Sequence, residues 1–422
     1  MKEKLINENV KSHLTNALAY SRNTRQCQEI EDLDFLYVGI SRVIRDHESG
    51  RGFLQFIRDN DSQKTIARAS YFENLQSARR REMTSECETH LRRALTTCMQ
   101  EHGIDHLRKF SELSKYDITA YDGHFHTHAC HAKKDDKEKY RPIGGIYAMD
   151  FRTGLIQRVA TTDFDTNKTN ELRAFRDTFS PKDSKGRRKK TIAVVDKAYH
   201  DGRYWELCSK MRKNGMYFIS PLKDGLIVTE KEHLTFDKEH SYNTGIISDT
   251  KVTLQSGGPF RKIVYVDPET MKEMTFLTSV FDVPPGLISY LYLWRWKIEK
   301  VFNTFKSKLK ETKAWANGKI AVDIQASLTA MAYNILLATQ DISLCNEKVE
   351  EEKLQKKWQK AIEQRKKKAE KLGRILNPLI EIPHKLRQLS SQFIRCFRTN
   401  FENKAAWCDC LPKFREAMVD YL

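Results

Sequence analysis

The chain has 422 residues, enough for two or three domains with at least one sizeable hydrophobic core. Lysine and arginine exceed aspartate and glutamate by 73 to 56, giving a formal net charge of +17, which favours a polyanionic partner such as nucleic acid or a membrane surface. The opening MKEKLINENV lacks the apolar run of a signal peptide, and the most apolar helical stretch, 326–337, is too short to span a bilayer, so we expect a cytoplasmic, nucleoid-associated protein with no membrane partner.

Residues 1–105 show the spacing of short amphipathic helices and are predicted to form a small helical domain. Within it, segment 62–83 pairs a short helix with a second helix that ends in Arg79, Arg80 and Arg81. This is the rough pattern of a helix-turn-helix, whose cations would contact DNA phosphates. Two ordinary packed helices with a solvated basic end fit the same residues, so both interpretations stay open at this point.

A strand pattern begins at residue 116, where apolar and polar residues start to alternate. Segments 116–131, 143–151 and 155–163 are predicted to form three consecutive antiparallel strands. A helix, a buried strand, a second helix and a further strand follow, at 171–179, 191–196, 204–214 and 216–222. This order of elements is that of an RNase H-like fold, so the fold class is α/β with a mixed-sheet catalytic core.

In an RNase H-like fold, one carboxylate lies on the first strand and a second lies at the end of the fourth. Asp122 ends the stretch ITAYD and is followed by glycine, whereas Asp117 lies at the beginning of the strand. Asp196 ends TIAVVD, although an aspartate there could also simply cap the next helix. Asp122 and Asp196 are therefore the predicted pair. The rival aspartates are Asp117, Asp163 and Asp201, of which Asp163 is expected in the loop after the third strand and Asp201 at the start of the next helix.

An alternating cluster follows Asp122 on the first strand. His124, His126, His128 and Cys130 share its strand parity, so imidazoles and a thiol would line one face. A zinc cluster is one interpretation. The other is a polar strand face beside an active site, with His124 or His126 near the reacting phosphate.

The region 224–285 is predicted to be a β insertion. It contains five alternating segments separated by turn signals, at 225–230, 234–237, 245–254, 261–267 and 274–281. The insertion lengthens the chain between the second aspartate and any carboxylate that follows.

The stretch 292–310 is predicted to form one long helix with two faces. An apolar stripe would pack on the core, and a separate face within an arc of roughly 60° would carry Tyr292, Arg295, Glu299, Lys306 and Lys310. One carboxylate therefore lies among cations and a phenol. A solvated face with Glu and Lys supporting each other is the alternative for such a pattern.

The order Tyr-x2-Arg-x3-Glu-x6-Lys on this helix resembles the signature of the DDE transposases of the insertion-sequence-four family. The resemblance extends over residues 104–337: glycine after Asp122 and the Asp-x-x-Tyr setting of Asp196 are similar to the family's, as is a β insertion before the Glu. It implies that Glu299 is the third metal-binding carboxylate. It also implies that the cations and the tyrosine of the same face contact phosphates of the transposon end.

The resemblance implies metal-dependent cleavage of DNA at transposon ends and strand transfer into target DNA. The three carboxylates would hold two divalent ions, with Mg²⁺ as the first expectation and Mn²⁺ as the second. Double-stranded DNA would be the partner, and pairing two ends would require a homodimer. An inactive DNA-binding protein derived from a transposase and a stand-alone nuclease of the same fold are the alternatives.

The expected organisation is a helical DNA-binding domain at 1–105, a catalytic core in two parts at 106–223 and 286–345 separated by the β insertion 224–285, and a basic helical region at 346–422. The lysine-rich part of that last region is either a solvated helix or a contact to DNA backbone.

Overall fold

The computed structural model describes residues 4–26, 29–47, 49–60, 66–130, 142–161, 171–179, 190–210, 215–316, 318–345, 348–376 and 389–419. The N-terminal part is helical, with α1 (Ile6–Leu18), α2 (Asp32–Ile44), α3 (Gly50–Asn60), α4 (Arg68–Asn74) and α5 (Ala78–Glu101). On α5, buried apolar residues recur every four positions and so form one face, at Met83, Cys87, Leu91 and Leu95.

These helices share a hydrophobic core with a long helix, α10 (Lys319–Cys345), from the other half of the chain. The approach is close at Gly39 of α2, where an added Cβ would lie 2.5 Å from Cδ1 of Leu328. The N-terminal helices are therefore packed onto the helix that covers the sheet.

One nine-stranded mixed sheet forms the centre of the molecule. Its strands are β1 (Tyr116–His126), β2 (Ile143–Asp150), β3 (Ile156–Thr161), β4 (Lys190–Val194), β5 (Met216–Pro221), β6 (Val228–His233), β7 (Ile246–Leu254), β8 (Gly257–Val266) and β9 (Glu273–Thr278). Their order is β3-β2-β1-β4-β5-β9-β8-β7-β6. The pairs β1–β2 and β2–β3 are antiparallel, as predicted, whereas β1–β4 and β4–β5 are parallel. Helices α6 (Glu171–Thr178) and α7 (Gly202–Lys210) follow β3 and β4.

The strands of the region 224–285 extend the same sheet. β6 to β9 form an antiparallel meander, and β9 pairs with β5. The predicted strand 234–237 is wrong, because the chain leaves β6 after His233 and these residues adopt no strand.

The helix predicted at 292–310 is two helices, α8 (Pro285–Arg295) and α9 (Lys297–Lys308). The helical ladder lapses at Trp296, whose N–H donates to the carbonyl of Trp294. Trp296 keeps right-handed helical angles (φ −59°, ψ −11°), so the apolar stripe runs through the break and periodicity does not reveal it.

α10 is longer than the apolar stretch that predicted it. By length and composition it could cross a membrane, but 94 % of its most apolar 18-residue window is buried inside the protein. It is the central helix of the hydrophobic core, in contact with the N-terminal helices on one side and with β2 and β3 on the other.

The C-terminal region consists of α11 (Lys348–Lys371), α12 (Ser391–Glu402) and α13 (Trp407–Val419). Aromatic residues of α12 and α13 are buried in the main core, among them Phe393, Phe397 and Phe414. The chain also returns to its beginning, where the Ile6 N–H donates to the Ala405 carbonyl at 2.9 Å. α12 and α13 therefore complete the hydrophobic core, a role that the prediction of a basic helical region did not include.

Candidate active site

Asp122 and Asp196 lie on neighbouring parallel strands. The last paired residues of β1 and β4 are Ala120 and Val194, so each aspartate stands two residues beyond this pair and on the same side. Asp122 lies within β1, which pairs with β2 as far as His126. β1 extends beyond its pairing with β4 at this point, and the Asp122 carboxylate therefore lies at the edge of the parallel pairing.

Glu299 reaches this edge from the break between α8 and α9. Arg295, the last residue of α8, donates from Nη1 to Oδ2 of Asp122 at 3.0 Å and from Nη2 to Oε1 of Glu299 at 3.2 Å. Glu299 lies in the first turn of α9, where the helix dipole favours a negative charge. One guanidinium therefore holds together two carboxylates that are 177 positions apart in the chain.

Asp196 lies close enough to Asp122 for its charge to affect the pKa of the Asp122 carboxyl, so it belongs to the same group as Asp122 and Glu299. Burial raises the pKa of the Asp122 carboxyl, Arg295 opposes this shift, and the charges of Glu299 and Asp196 add to it. Asp196 accepts the Lys197 backbone N–H at 2.7 Å, which directs its carboxylate as a cap of the following turn. The capping that sequence analysis treated as an alternative is thus present together with the proximity to Asp122.

A fourth carboxylate, Glu171, lies beside these residues, and sequence analysis missed it. Burial raises the pKa of its carboxyl, and the charges of Asp122 and Asp196 raise it further. Tyr199, the tyrosine of the Asp-x-x-Tyr motif, donates its hydroxyl to Glu171 at 3.1 Å. That tyrosine was the available signal, because a buried phenol next to a carboxylate site requires an acceptor.

The three other side chains of the signature face that are predicted to contact DNA, Tyr292, Lys306 and Lys310, differ in their burial and in their contacts. Tyr292 is partly buried with its ring 4.9 Å from that of Phe276, and the guanidinium of Arg295 lies 5.5 Å from its centroid. Lys306 is exposed on α9. Lys310 lies beyond the end of α9 with φ +51°, and its ammonium is 3.9 Å from Oδ2 of Asp46, so the placement of Lys310 on the helix face is wrong.

The arginine triplet does not end a helix. Ser77 caps α5 by accepting the Arg80 N–H, so all three arginines lie in the first turn of a 24-residue helix. Arg80 is fully buried and pairs with Asp32, and Arg79 donates to the same carboxylate at 2.9 Å. The prediction that Arg80 contacts DNA is wrong for this reason, and Arg79 is held by the same contact. Arg81 is partly exposed and pairs with Glu82.

The rival aspartates lie away from the group. Asp117 is exposed near the start of β1, five residues from Asp122 and hence on the opposite face. Asp201 accepts from Arg176 at 2.6 Å and from the Tyr204 N–H at 3.1 Å at the start of α7. Asp163 lies outside the described residues.

Of the alternating cluster on β1, His124 and His126 converge on a residue that sequence analysis did not consider, Glu311. Burial lowers the pKa of His124 to about 4, with Glu311 opposing the shift, so this imidazole is neutral at pH 7. His128 and Cys130 do not belong to that group.

A family profile described as "Transposase DDE domain" matches residues 113–335, just over half of the chain. No curated protein matches the chain significantly. A solved structure entitled "Cryo-EM structure of piggyBac transposase synaptic complex with hairpin DNA" is similar over 97 % of this chain and 81 % of that chain, with 10 % identity and a TM-score of 0.32, a likeness too distant to bear on the site. The profile spans every element from β1 to most of α10 and includes all four carboxylates described above. The chain therefore belongs to the family of transposase DDE domains.

Proposed function

We propose that this protein is a transposase of the insertion-sequence-four type, which cleaves DNA at the ends of a mobile element and joins those ends to target DNA. Asp122, Asp196 and Glu299 are its metal-binding carboxylates. The observation that carries this proposal is the bridge from Arg295 to both Asp122 and Glu299, at the edge where Asp196 also emerges. Residues of the predicted signature thus meet the predicted strand carboxylates.

The strand order supports an RNase H-like core. β3-β2-β1-β4-β5, with the first three strands antiparallel and the next two pairs parallel, is the arrangement expected from the order of elements in the sequence. β6 to β9 then account for the proposed insertion, because they enter and leave the core between β5 and α8.

The donor set fits a hard divalent cation, with Mg²⁺ first and Mn²⁺ as the alternative. It consists of carboxylate oxygens, and the side chains of Asp122 and Glu299 are 20 % and 39 % exposed, so an ion can reach them from solvent. When bound, two such ions supply an activated water or 3′-hydroxyl and stabilise the leaving oxygen. Burial raises the pKa of the Asp122 carboxyl, and the charges of Glu299 and Asp196 raise it further; a bound cation would relieve that repulsion between carboxylates.

Arg295 bridges two carboxylates in this structure and supplies a cation for the reacting phosphate in the proposed complex. A guanidinium can exchange a carboxylate for a phosphate with the same bidentate geometry. Lys306, exposed two turns after Glu299, adds a point charge for the DNA backbone, and Tyr292 forms the wall beside Arg295.

The partner is double-stranded DNA, at the element's ends and at the target, in the cytoplasm and on the nucleoid. The net charge of +17 supports a polyanionic partner. A homodimer in the complex follows from the need to hold two ends at once.

The test uses the full chain and a supercoiled plasmid that carries the DNA flanking its gene. We expect Mg²⁺-dependent cuts at two inverted sequences, followed by joining of the released ends to a second plasmid. Cleavage without joining would instead identify a stand-alone nuclease. Binding with neither reaction would identify an inactive DNA-binding relative.

A further inference from the structure

A second group of ligand-type side chains lies next to the carboxylates on β1. His124 and His126 are two residues apart and therefore point to one face of the strand, and Glu311 comes from the segment after α9. Nε2 of His124 lies 3.8 Å from Oε2 of Glu311, and Nε2 of His126 lies 3.6 Å from Oε1. Within the described ranges, this is the one group of three or more His, Cys, Asp or Glu whose ligand atoms all lie within 4.8 Å of one another.

The group is sealed from solvent and its hydrogen bonding is incomplete. The side chains of His124, His126 and Glu311 are 2 %, 5 % and 4 % exposed. Nε2 of His124, Nδ1 of His126 and Oε2 of Glu311 are buried without a hydrogen-bond partner among the described residues. A buried polar atom without a partner destabilises the fold unless something satisfies it. Nε2 of His124 and Oε2 of Glu311 face each other at 3.8 Å, so these two atoms indicate a missing ligand between them.

The distances fit a shared metal ion better than direct hydrogen bonds. An N–H···O bond requires 2.7–3.2 Å between heavy atoms, and both observed separations are longer. In a tetrahedral zinc site with bonds of about 2.0–2.1 Å, two ligand atoms lie roughly 3.4 Å apart. The separations of 3.6 and 3.8 Å end on different oxygens of the Glu311 carboxylate, and each exceeds that spacing by only a few tenths of an ångström.

The surroundings orient the carboxylate as metal sites require. Gln325 donates from Nε2 to Oε1 of Glu311 at 3.3 Å. Gln325 is itself fixed, because it accepts the Trp315 N–H at 2.6 Å and donates to the Lys313 carbonyl at 3.2 Å. Partners of this kind set the direction of a ligating carboxylate and strengthen metal binding.

Aromatic rings form the remaining walls. The ring of Phe302 stacks on His124 at 5.0 Å between centroids, and those of Phe305 and Tyr147 lie at 5.6 and 6.2 Å. Such walls cannot satisfy the several waters that Mg²⁺ retains, whereas Zn²⁺ takes imidazole and carboxylate ligands directly.

The geometry points to a zinc site formed by His124, His126 and Glu311, with water as the fourth ligand. It is separate from the catalytic carboxylates and does not depend on the proposed reaction. The bound ion joins β1 to the segment that leads from α9 to α10. The same two stretches already touch further along, where the Cys130 N–H donates to the Ala314 carbonyl at 2.8 Å. Zinc would thus fix the strand of Asp122 against the helix of Glu299.

The test is a titration of the chelator-treated full chain with Co²⁺, in excess Mg²⁺ so that the catalytic carboxylates are occupied. We expect one equivalent of Co²⁺ with the intense visible absorption of a tetrahedral site, displaced by Zn²⁺. Glu311→Gln and His126→Gln should weaken binding at least about 100-fold, beyond the loss that follows removal of an outer partner. Glu299→Gln and the exposed His102→Gln are matched controls and should bind as the wild type does.

Folding is monitored by circular dichroism and by the rise in Tm that Zn²⁺ produces, which should be absent in both ligand variants. A wild type that binds no Co²⁺, or a Glu311→Gln protein that binds it unchanged, would overturn the site. Absorption from sulfur-to-cobalt charge transfer would assign the ion to cysteines and would overturn it equally. If one ligand variant fails to fold, the other still decides the outcome.

Discussion

β1 carries two groups of polar side chains that differ in nearly every physical property, although they are two residues apart on the same face of the strand. At Asp122 the group is open, with Glu299 39 % exposed and with Arg295 hydrogen-bonded to both Asp122 and Glu299. At His124 the group is closed, with each member at most 5 % exposed and with buried atoms that lack partners among the described residues.

This contrast in exposure and charge determines which of the two groups can exchange a bound ion with solvent. An open site with several carboxylates around one guanidinium retains negative charge, so a hydrated cation could enter it from solvent and leave again. A sealed site without an arginine would hold one metal ion permanently. If that ion left, the buried polar atoms that bind it would have no hydrogen-bond partner. Four predictions test this contrast, beginning with the largest effect.

Glu299→Gln should abolish catalysis at the open site. Replacing one anionic ligand by an amide keeps the size and the contact with Arg295 but removes the charge that a cation requires. We expect Mg²⁺-dependent cleavage of end DNA to fall by roughly three orders of magnitude or more, while DNA binding in a gel-shift assay stays near the wild-type level. Glu363→Gln, on the exposed surface of α11, is the matched control and should cleave normally. A wild-type rate in Glu299→Gln would remove this residue from the site.

Glu88→Gln measures how much free energy of unfolding is lost by burying a carboxylate that belongs to neither of the two groups on β1. Glu88 on α5 is fully buried, accepts the Arg158 backbone N–H at 2.6 Å, and burial raises its pKa to about 7. The folded state therefore binds more protons than the unfolded state between pH 4.5 and about 7, so stability should fall as pH rises through that range.

The variant should remove this slope and should exceed the wild type above pH 7 by up to roughly 3 kcal/mol. Urea denaturation at pH 5 and pH 8 measures the difference, and equal slopes in the two proteins would show that Glu88 is ionised throughout.

Sequence patterns could predict the site residues that lie on regular strands and helices. Alternation located β1 and β4, and the order of the elements placed Asp122 and Asp196 on these two strands, which are neighbours in the sheet. The four fixed offsets of the signature located Glu299 and Arg295, even though the helix is interrupted between them.

The other residues could not be predicted, because their positions depend on tertiary contacts that produce no periodic pattern in the sequence. Glu311 reaches the histidines only because the chain turns at Lys310, and Glu171 is recognised only through Tyr199. Arg80 belongs to a run of cations that is typical of a solvated end, yet the partner that buries it, Asp32, lies 48 residues earlier. Local composition cannot distinguish such an arginine from one that binds phosphate.

Arg295→Gln tests whether, in the absence of metal, the Arg295 guanidinium supplies the positive charge that a bound metal ion would otherwise supply at the open site. Without metal, its loss leaves Asp122 and Glu299 repelling each other, and we expect Tm to fall by about 2 °C. Mg²⁺ should restore that loss and should stabilise the variant more than the wild type, because the arginine no longer competes for the carboxylates. Arg365→Gln is the control, because it loses a bidentate contact to Glu269 on the surface. Its Tm should also fall, but Mg²⁺ should not restore it. Equal Mg²⁺ responses in Arg295→Gln and the wild type would show that ion and arginine occupy different places.

Tyr199→Phe is the smallest perturbation and asks whether the open site has a fourth carboxylate. The change removes only the hydroxyl that Tyr199 donates to Glu171 at 3.1 Å and leaves the ring in its aromatic cluster. Because Glu171 lies close enough for the charges of Asp122 and Asp196 to raise its pKa, freeing its carboxylate should alter how the site holds a cation. We expect the Mg²⁺ concentration for half-maximal cleavage to shift by roughly threefold to tenfold, the amount that one neutral hydrogen bond can contribute, with little change in the rate at saturation. Tyr204→Phe removes a nearby buried hydroxyl that donates to the Phe179 carbonyl, so it should leave the Mg²⁺ requirement unchanged. If both variants shift alike, the effect belongs to packing around α6 and α7, and Glu171 has no part in the site.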